Sequence, residues 1–412
     1  MKRSSIAMPR AGAVAAVAAT VMLSACGGGS SGGGASGAVP TLRVLHAFGG
    51  GTEPQAPYAG VISGVDGKLY GVTEAGGTHN AGALFAIDPN SDQATTLVSF
   101  GGTQDTEQKP IDPLVSDSVG NLYGTTQNGG QGALGSVFKV DAKTGAETVL
   151  YAFTGGADGA TPSSPLLIDA QGNLFGTTFQ GGPNDAGVVF QISPGGAMRV
   201  VYAFGAAGAA GPRDPIGALA LDSAGHLYGA TRLGGTQGKG TVYQLTLGSN
   251  GAPATLAVLH NFSGGADGAN PWGGVVLDAA QQMLYGTTFA GGPADNGTVF
   301  ACPVDGSAAR VLYAFKANGS GDGAQPIGAL AIGKSGTLYG TTSGGGSANL
   351  GTVFSVAPSS GAETLLHSFT GPADGDGEDP RGSLIIDAAG ELVGTTIRGG
   401  AQDNGTVFVL SR

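Results

Sequence analysis

The sequence is poor in charge, in cysteine and in tryptophan. Asp, Glu, Lys and Arg make up only 11% of its 412 residues, less than half of the ~25% that is usual. Coiled coils and long helical bundles are excluded, because they need Ala, Glu, Lys and Leu at helical spacing. A strict Gly-x-y period is missing as well, which excludes collagen.

Glycine is what the sequence has in excess. There are 80 Gly and 21 Pro, a combined share close to the ~25–30% at which low complexity becomes the default interpretation. Charge-driven disorder fits badly, because 41% of the residues are hydrophobic and the mean hydropathy is +0.12. The composition therefore predicts a turn-rich β protein.

The N-terminus has the pattern of an export signal. Lys2, Arg3 and Arg10 precede an apolar run over residues 11–23, and Leu23-Ser24-Ala25-Cys26 follows at once. This order resembles the bacterial lipobox, in which cleavage before the Cys leaves a lipid on it. The alternative is an ordinary secretory signal with a chance Cys.

These features predict three parts of the chain and a cellular address. We expect a lipoprotein signal peptide over 1–25, a lipidated Cys26 with a Gly/Ser tether over 26–40, and a folded part over 41–412. Gly27 after Cys26 favours the bacterial outer membrane, with the folded part periplasmic or surface-exposed. Cys302 then has no disulfide partner and is expected to be a buried thiol.

The charge balance limits the partners. The net charge is −11, and removal of the signal takes away three basic residues and no acidic one. Nucleic acid is therefore not an expected partner, because it needs a basic face. We expect a monomer that reaches the membrane only through its lipid.

An internal repeat predicts the fold. A Leu-Tyr-Gly-Thr-Thr-like segment and a later Gly-Thr-Val-Phe-like segment each occur seven times in a fixed order. The Gly of the first segment stands at Gly71, Gly124, Gly176, Gly229, Gly286, Gly340 and Gly394. Each repeat offers four short strand-like runs bounded by turn residues, which is typical of a β-propeller blade. An all-β fold with seven four-stranded blades is predicted, and an open β-solenoid or two smaller propellers are the alternatives.

The phase of the repeat favours a closed ring. A fourth-strand motif occurs at 41–48, before any blade, whereas the chain ends directly after a third strand. The N-terminal strand 41–48 is therefore predicted to complete blade seven, which would remove an exposed sheet edge.

The motifs resemble those of the choice-of-anchor tandem repeat (GloVer) proteins, which are bacterial surface or secreted proteins. The resemblance covers residues 41–412 and implies a propeller-like fold but no known activity. Kelch and WD40 propellers fit less well, because their repeated Trp is absent: Trp272 is the only Trp in the chain.

Most of the repeated residues have a structural explanation. The aromatic residues of both motifs are expected to pack between neighbouring sheets. The Gly after each Tyr is expected to let a side chain of the next blade approach the backbone. If the first strand of each blade is innermost, the loops after strands two and four share one rim, which carries the long loops.

Two sets of residues on that rim are candidate binding residues. Asp374, Asp376, Glu378 and Asp379 form the densest acidic cluster and could hold Ca²⁺; the alternative is turn chemistry at Asp-Gly pairs. Arg213, Trp272 and Arg381 stand beside prolines at the entrances to first strands, where they could contact a sugar or a carboxylate. The alternative there is an Arg that snorkels and a Trp that caps the fold.

No enzyme motif is present in the sequence. We therefore expect a surface-anchored binding or scaffold module that takes a glycan or protein on the acidic, loop-rich rim. The alternative is a carbohydrate-active hydrolase or lyase that uses rim carboxylates, for which Glu53, Glu74, Glu107 and Glu378 are available. A purely structural envelope protein is the third possibility.

Overall fold

The computed structural model describes residues 40–102, 108–130, 132–205, 210–248, 251–316 and 319–412. Short runs of Val, Leu, Thr and aromatic residues form the strands, and Gly, Asn and Asp form the turns between them. The strands make seven antiparallel four-stranded sheets in a ring, a seven-bladed β-propeller. In these ranges no helix is long and apolar enough to cross a membrane.

Each of the first six blades takes its four strands from consecutive chain, and the seventh takes one strand from the N-terminus. β1 (Thr41–Ala47) belongs to blade 7. Blade 1 consists of β3 (Ile62–Ser63), β4 (Leu69–Thr73), β6 (Ala83–Asp88) and β7 (Gln93–Ser99). Blade 2 consists of β8 (Val115–Ser116), β9 (Asn121–Thr126), β10 (Ser136–Asp141) and β11 (Glu147–Ala152). Blade 3 consists of β13 (Leu167–Ile168), β14 (Leu174–Gln180), β15 (Val188–Ile192) and β16 (Met198–Ala203). Blade 4 consists of β17 (Arg213–Leu221), β18 (His226–Leu233), β19 (Thr241–Thr246) and β20 (Thr255–Asn261). Blade 5 consists of β21 (Val275–Leu277), β22 (Met283–Thr288), β23 (Thr298–Pro303) and β24 (Arg310–Ala314). Blade 6 consists of β26 (Ala331–Ile332), β27 (Leu338–Thr342), β29 (Thr352–Ala357) and β30 (Ala362–Ser368). Blade 7 is β32 (Ile385–Ile386), β33 (Leu392–Thr396), β35 (Thr406–Ser411) and β1.

The ring closes as the repeat phase predicts. β1 pairs antiparallel with β35, from Thr41 opposite Ser411 to Ala47 opposite Thr406. The N–H of Phe48 continues the ladder by donating to the carbonyl of Gly405. The predicted strand 41–48 is thus confirmed as the outer strand of blade 7, and it ties the two ends of the chain together.

The loops after strands two and four share one rim, here called the loop-rich rim. The segment that enters each blade pairs with the loop after the second strand of that blade. Short strands make this contact at β2 (Pro54–Gln55) with β5 (Ala75–Gly76), β12 (Ala160–Pro162) with β14, β25 (Gly323–Ala324) with β28 (Gly344–Gly345), and β31 (Gly377–Glu378) with β34 (Arg398–Gly399). Blades 2, 4 and 5 make it with single residue pairs. The turns after strands one and three form the opposite rim, the turn rim.

The hydrophobic core consists of seven clusters, and each lies between two adjacent blades. At every junction the Phe that ends one blade packs edge-on or tilted against the third-strand aromatic residue of the next. Phe100 and Phe138, for example, have ring centroids 5.2 Å apart. The prediction that these aromatic residues pack between sheets is confirmed. Cys302 is buried at the junction of blades 4 and 5.

The Gly of the Leu-Tyr-Gly-Thr-Thr motif has a different role from the one predicted. A Cβ added at Gly124 would stand 2.5 Å from the ring of Phe138 and 2.9 Å from Leu114, and both residues belong to the same blade. Gly124 and Phe138 are direct cross-strand partners. The Gly therefore leaves room for the aromatic side chain of its own sheet, because a Phe ring lies flat across the neighbouring strand.

Candidate functional site

The residue directly after a proline lines the centre of the loop-rich rim in all seven blades. These residues, here called the inner ring, are Tyr58, Ile111, Ser163, Ile216, Trp272, Ile327 and Arg381. They surround an open cavity of ≈ 90 Å³ on the propeller axis, here called the axial cleft. Most of the lining is apolar, and a few polar groups converge in it, which is the usual character of a ligand site.

The backbone before each proline directs the inner ring toward the axis. The residue that precedes the proline has a left-handed φ between 54° and 58° in every blade, and none of the seven is Gly. In each blade its N–H donates to a loop carbonyl of the preceding blade, as Thr161 does to Leu134 at 2.7 Å. A β-branched residue such as Thr161 rarely adopts this φ, so the interblade hydrogen bonds hold a strained turn in place.

Around most of the axis the first strands approach so closely that Gly is required. A Cβ added at Gly60 would stand 2.1 Å from the carbonyl oxygen of Ser383, and one at Gly273 would stand 2.5 Å from that of Gly328. Blades 1, 4, 5, 6 and 7 each have at least one Gly in the two positions after the inner ring. In this part of the axis the backbones of neighbouring blades are in contact, and Gly217, Gly273, Gly328 and Gly382 line the cleft there.

Blades 2 and 3 have no Gly in those two positions. Asp112-Pro113 and Ser164-Pro165 replace it, and Pro113 and Pro165 line the axial cleft. The Ser164 hydroxyl accepts the N–H of Thr177 at 2.9 Å and so completes the blade. On the side of blades 2 and 3, the cleft is thus lined by residues that differ from the repeat.

Asp112 is the acid of the axial cleft. Its carboxylate accepts one hydrogen bond, from the Thr125 hydroxyl at 3.3 Å. Burial raises the pKa of Asp112 to about 7, and the hydrogen bond from Thr125 offsets only part of this effect. A carboxyl group with such a pKa in a cleft is a functional candidate, because it can donate or accept a proton near neutral pH.

Arg381 is the cation of the cleft, and its charge is already paired. Its Nε and Nη2 atoms meet the two carboxylate oxygens of Asp379 at 2.9 and 2.8 Å. Its Nη1 donates to the Tyr58 hydroxyl at 3.2 Å, and the guanidinium lies 5.2 Å from the centre of the Tyr58 ring. The bidentate pair fixes the guanidinium plane at the edge of the cleft.

Trp272 connects the cleft to a group of side chains further out on the rim. The Arg232 guanidinium lies 5.7 Å from the Trp272 ring centre and 4.7 Å from that of Phe179. Phe289 packs against Trp272 at 6.1 Å. Asp214 balances the Arg232 charge at 3.2 Å. All these side chains are partly exposed on the loop-rich rim.

The structure places two of the three predicted ligand-binding residues at the cleft. Trp272 and Arg381 line it, whereas Arg213 does not. Arg213 begins β17, where it pairs with Leu233. It stands two residues before its proline, whereas Trp272 and Arg381 directly follow theirs, and the corresponding residue of blade 4 is Ile216. Arg213 therefore lies apart from the cleft that Trp272 and Arg381 line.

The predicted acidic cluster does not come together. Asp374 lies in an exposed 3-10 turn, Pro372–Asp374. Asp379 pairs with Arg381, and Glu378 with Arg398 at 3.7 Å. In the described ranges, no three His, Cys, Asp or Glu side chains are close enough to hold a metal ion.

Asp376 has a structural role instead. Its carboxylate accepts hydrogen bonds from His367 Nε2 at 2.9 Å and from the N–H groups of Gly377 and Thr370 at 2.7 and 3.1 Å. Burial alone would raise the pKa of Asp376, but these hydrogen bonds outweigh it and hold the pKa below its ordinary value. Asp158 caps its own interblade loop in the same way, with Tyr151 as partner. The geometry favours turn chemistry for these carboxylates.

The rim glutamates also have other partners. Glu53 accepts the N–H of Gly49 at 2.9 Å, and Glu74 lies 3.5 Å from Lys109. Glu378 pairs with Arg398 as described, and Glu107 lies outside the described residues. None of the three described glutamates lines the axial cleft.

Asp112 and Tyr58 are site residues that the sequence motifs do not mark. An alignment of the seven repeats on their prolines would have placed Tyr58 in the inner ring. The same alignment marks Asp112 as a residue that replaces a Gly of the repeat.

Comparison with known proteins supports the repeat and the fold. The sequence matches the family model described as the Gloeobacter/Verrucomicrobia repeat over residues 11–220 and 215–412. No curated protein matches it.

Solved structures resemble it as folds. Oligogalacturonate lyase from Vibrio parahaemolyticus is 11% identical, with a TM-score of 0.54 over 90% of this chain and 93% of that one. A candidate 6-phosphogluconolactonase from Bacteroides fragilis is 16% identical, with a TM-score of 0.51 over 83% and 89%. TolB from Acinetobacter baumannii is 14% identical, with a TM-score of 0.42 over 74% of this chain and 62% of TolB.

At these identities the likeness concerns the fold alone, and it carries no activity over to this protein. The match to the family model covers both halves of the repeat array. The chain therefore belongs to the Gloeobacter/Verrucomicrobia repeat (GloVer) family.

Proposed function

We propose that this propeller is a binding module whose ligand enters the axial cleft on the loop-rich rim. The observation that carries the proposal is the convergence of Trp272, Tyr58, Arg381 and Asp112 on one cleft. Three blades carry Ile in the inner ring, so the fold does not require an aromatic or charged residue there. Trp272 and Arg381 are therefore available for recognition.

A glycan is the ligand class that the cleft suits best. The C–H face of a sugar ring packs on an aromatic face such as that of Trp272 or Tyr58. Hydroxyl groups of the sugar can bond with the polar groups of Asp112, Gln127 and Ser163, which line the same cleft. Hydrogen bonds of this kind fix the orientation of a ligand in an otherwise apolar pocket.

The test is a calorimetric glycan-binding screen of the full chain, followed by the substitutions Trp272→Ile and Arg381→Ile. Both variants should fold, because Ile111, Ile216 and Ile327 occupy the same ring position. We expect each to weaken binding by about tenfold or more, since central aromatic and Arg contacts commonly contribute ~1.5–4 kcal/mol. Unchanged affinity in both variants would contradict the proposal.

Catalysis at the same cleft is the second candidate function, and Asp112 favours it. Its pKa of about 7 suits a general acid or base. A hydrolase or lyase would release reducing ends or unsaturated sugars from the bound glycan, and Asp112→Asn would abolish the release. Saturable binding without any product would leave the binding module as the function.

We further propose that Cys26 carries a lipid and that the chain is held at the bacterial outer membrane. Cys26 and residues 27–39 lie outside the described residues. The described chain enters the fold at Thr41, on the turn rim. Membrane fractionation of a Cys26→Ala variant tests this proposal.

A further inference from the structure

We propose that the ligand is a neutral glycan chain of at least two sugar units, whose second unit lies on an aromatic platform beside the axial cleft. The platform consists of Phe179, Trp272 and Phe289. This inference rests on the proposed function and extends it from one sugar to a chain.

The aromatic residues of the platform are not required by the blade. Phe179 and Phe289 directly follow the paired Thr of the second strand. The residues at this position in blades 1 to 7 are Glu74, Gln127, Phe179, Arg232, Phe289, Ser343 and Ile397. The same backbone thus accepts an acid, an amide, a hydroxyl and an aliphatic side chain. The repeat therefore gives no structural reason for the two aromatic rings.

Arg232 holds the platform rings in place. Its guanidinium contacts both Phe179 and Trp272, at 4.7 and 5.7 Å from their ring centres, and a cation over an aromatic face attracts it. Asn270 fixes the backbone of β18 at Arg232, because its side-chain amide donates to the Arg232 carbonyl at 3.2 Å. Arg232 is thus a positioning residue, and the parts of the aromatic rings that remain exposed beside it are the contact surface.

Trp272 makes the platform continuous with the cleft. It lines the axial cleft and packs against Phe289. A sugar bound in the cleft therefore has a partly exposed aromatic surface directly beside it. A chain can occupy both places, whereas a single sugar can occupy only one.

The charge of this surface selects a neutral chain. Arg232 and Arg381 are paired with Asp214 and Asp379, so neither presents an uncompensated positive charge. The protein as a whole carries a net charge of −11, which repels acidic polymers at long range. Uronate chains and sulfated glycans are therefore disfavoured relative to neutral ones.

The experiment is a chain-length series on the full protein. Cello-, malto- and laminari-oligosaccharides of one to six units are titrated by calorimetry and by the emission of Trp272, the only Trp in the chain. Polygalacturonate serves as the acidic comparison. Phe179→Gln is the test variant, because blade 2 carries Gln127 at this position. Ile397→Gln is the matched control, since it introduces the same residue at the equivalent position of blade 7.

We expect affinity to rise from one unit to two or more in at least one neutral series. Phe179→Gln should lower the affinity for chains by about 2- to 10-fold, as expected for loss of one aromatic contact, and leave single-sugar binding unchanged. Ile397→Gln should change neither.

Three results would overturn the inference while leaving the proposed function intact. They are equal affinity for single sugars and chains, equal affinity of Phe179→Gln and the parent for chains, and tighter binding of polygalacturonate than of any neutral chain. If no saccharide binds to the folded protein, both the inference and the glycan-binding function fail.

Discussion

The two sides of the propeller axis differ although the seven blades share one backbone. In blades 1 and 4 to 7, Gly allows neighbouring first strands to touch, as Gly60 does at Ser383 and Gly273 at Gly328. In blades 2 and 3, Asp112-Pro113 and Ser164-Pro165 stand in place of the Gly. Asp112, Pro113 and Pro165 line the axial cleft on this side, whereas Gly217, Gly273, Gly328 and Gly382 line it on the other.

This difference separates what the fold needs from what it does not. All seven blades pack their four strands in the same way, so a residue that every blade shares has a structural explanation. A residue that differs in one blade and also lines the axial cleft is available to a ligand. Trp272, Arg381 and Asp112 are of this second kind, whereas Ser164 does not line the cleft and its hydroxyl accepts the N–H of Thr177.

The largest expected effect is loss of stability on the Gly side. Gly60→Ala should cost about 3 kcal/mol, because its Cβ would stand 2.1 Å from the carbonyl oxygen of Ser383 and backbone must shift to make room. Denaturant unfolding measures the change. Gly195→Ala is the control, since only a side-chain atom 3.9 Å away would meet that Cβ, and its effect should stay within ±0.5 kcal/mol. Equal stability of both variants would contradict close contact at the axis.

A second effect on stability is expected at Asp112, and it depends on pH. The pKa of Asp112 is raised to about 7 in the folded protein, whereas an unfolded Asp titrates near ~3.9. Between these values the folded state holds a proton that the unfolded state has released. The free energy of unfolding should therefore fall as the pH rises from about 4 to about 7.

The substitution Asp112→Asn isolates this effect. It removes the titrating group and should make the protein less sensitive to pH in that window. Thermal unfolding of the parent and the variant at several pH values measures the difference. Parallel curves for the two proteins would show that Asp112 has an ordinary pKa and is solvated.

The sequence predicted the architecture well because the fold depends on repeated residues. The two seven-fold motifs were enough to predict four strands per blade, and the offset of strand 41–48 predicted ring closure. The site was harder to predict, because it depends on single positions. Trp272 and Arg381 follow their prolines directly, whereas Arg213 precedes its proline by two residues and does not line the cleft.

The acidic cluster shows a second limit of reasoning from sequence. Asp376 and Asp379 are three residues apart, yet the Asp376 carboxylate pairs with His367 and the Asp379 carboxylate pairs with Arg381. The left-handed φ of 57° at Asp379 redirects the chain between them. The sequence of blade 7 alone does not mark that turn, because the residue that adopts it is not Gly; only the shared left-handed φ before the proline in all seven blades reveals it.

The central claim is that the departure of blade 2 from the repeat creates the ligand site. The double substitution Asp112→Gly with Pro113→Ala tests it, because it gives blade 2 the Pro-Ile-Gly-Ala-Leu sequence of blades 4 and 6. Calorimetric titration with the best glycan of the chain-length series is the measurement. We expect a folded propeller, as stable as the parent, that binds this glycan at least tenfold more weakly. Unchanged affinity in the folded variant would contradict the account.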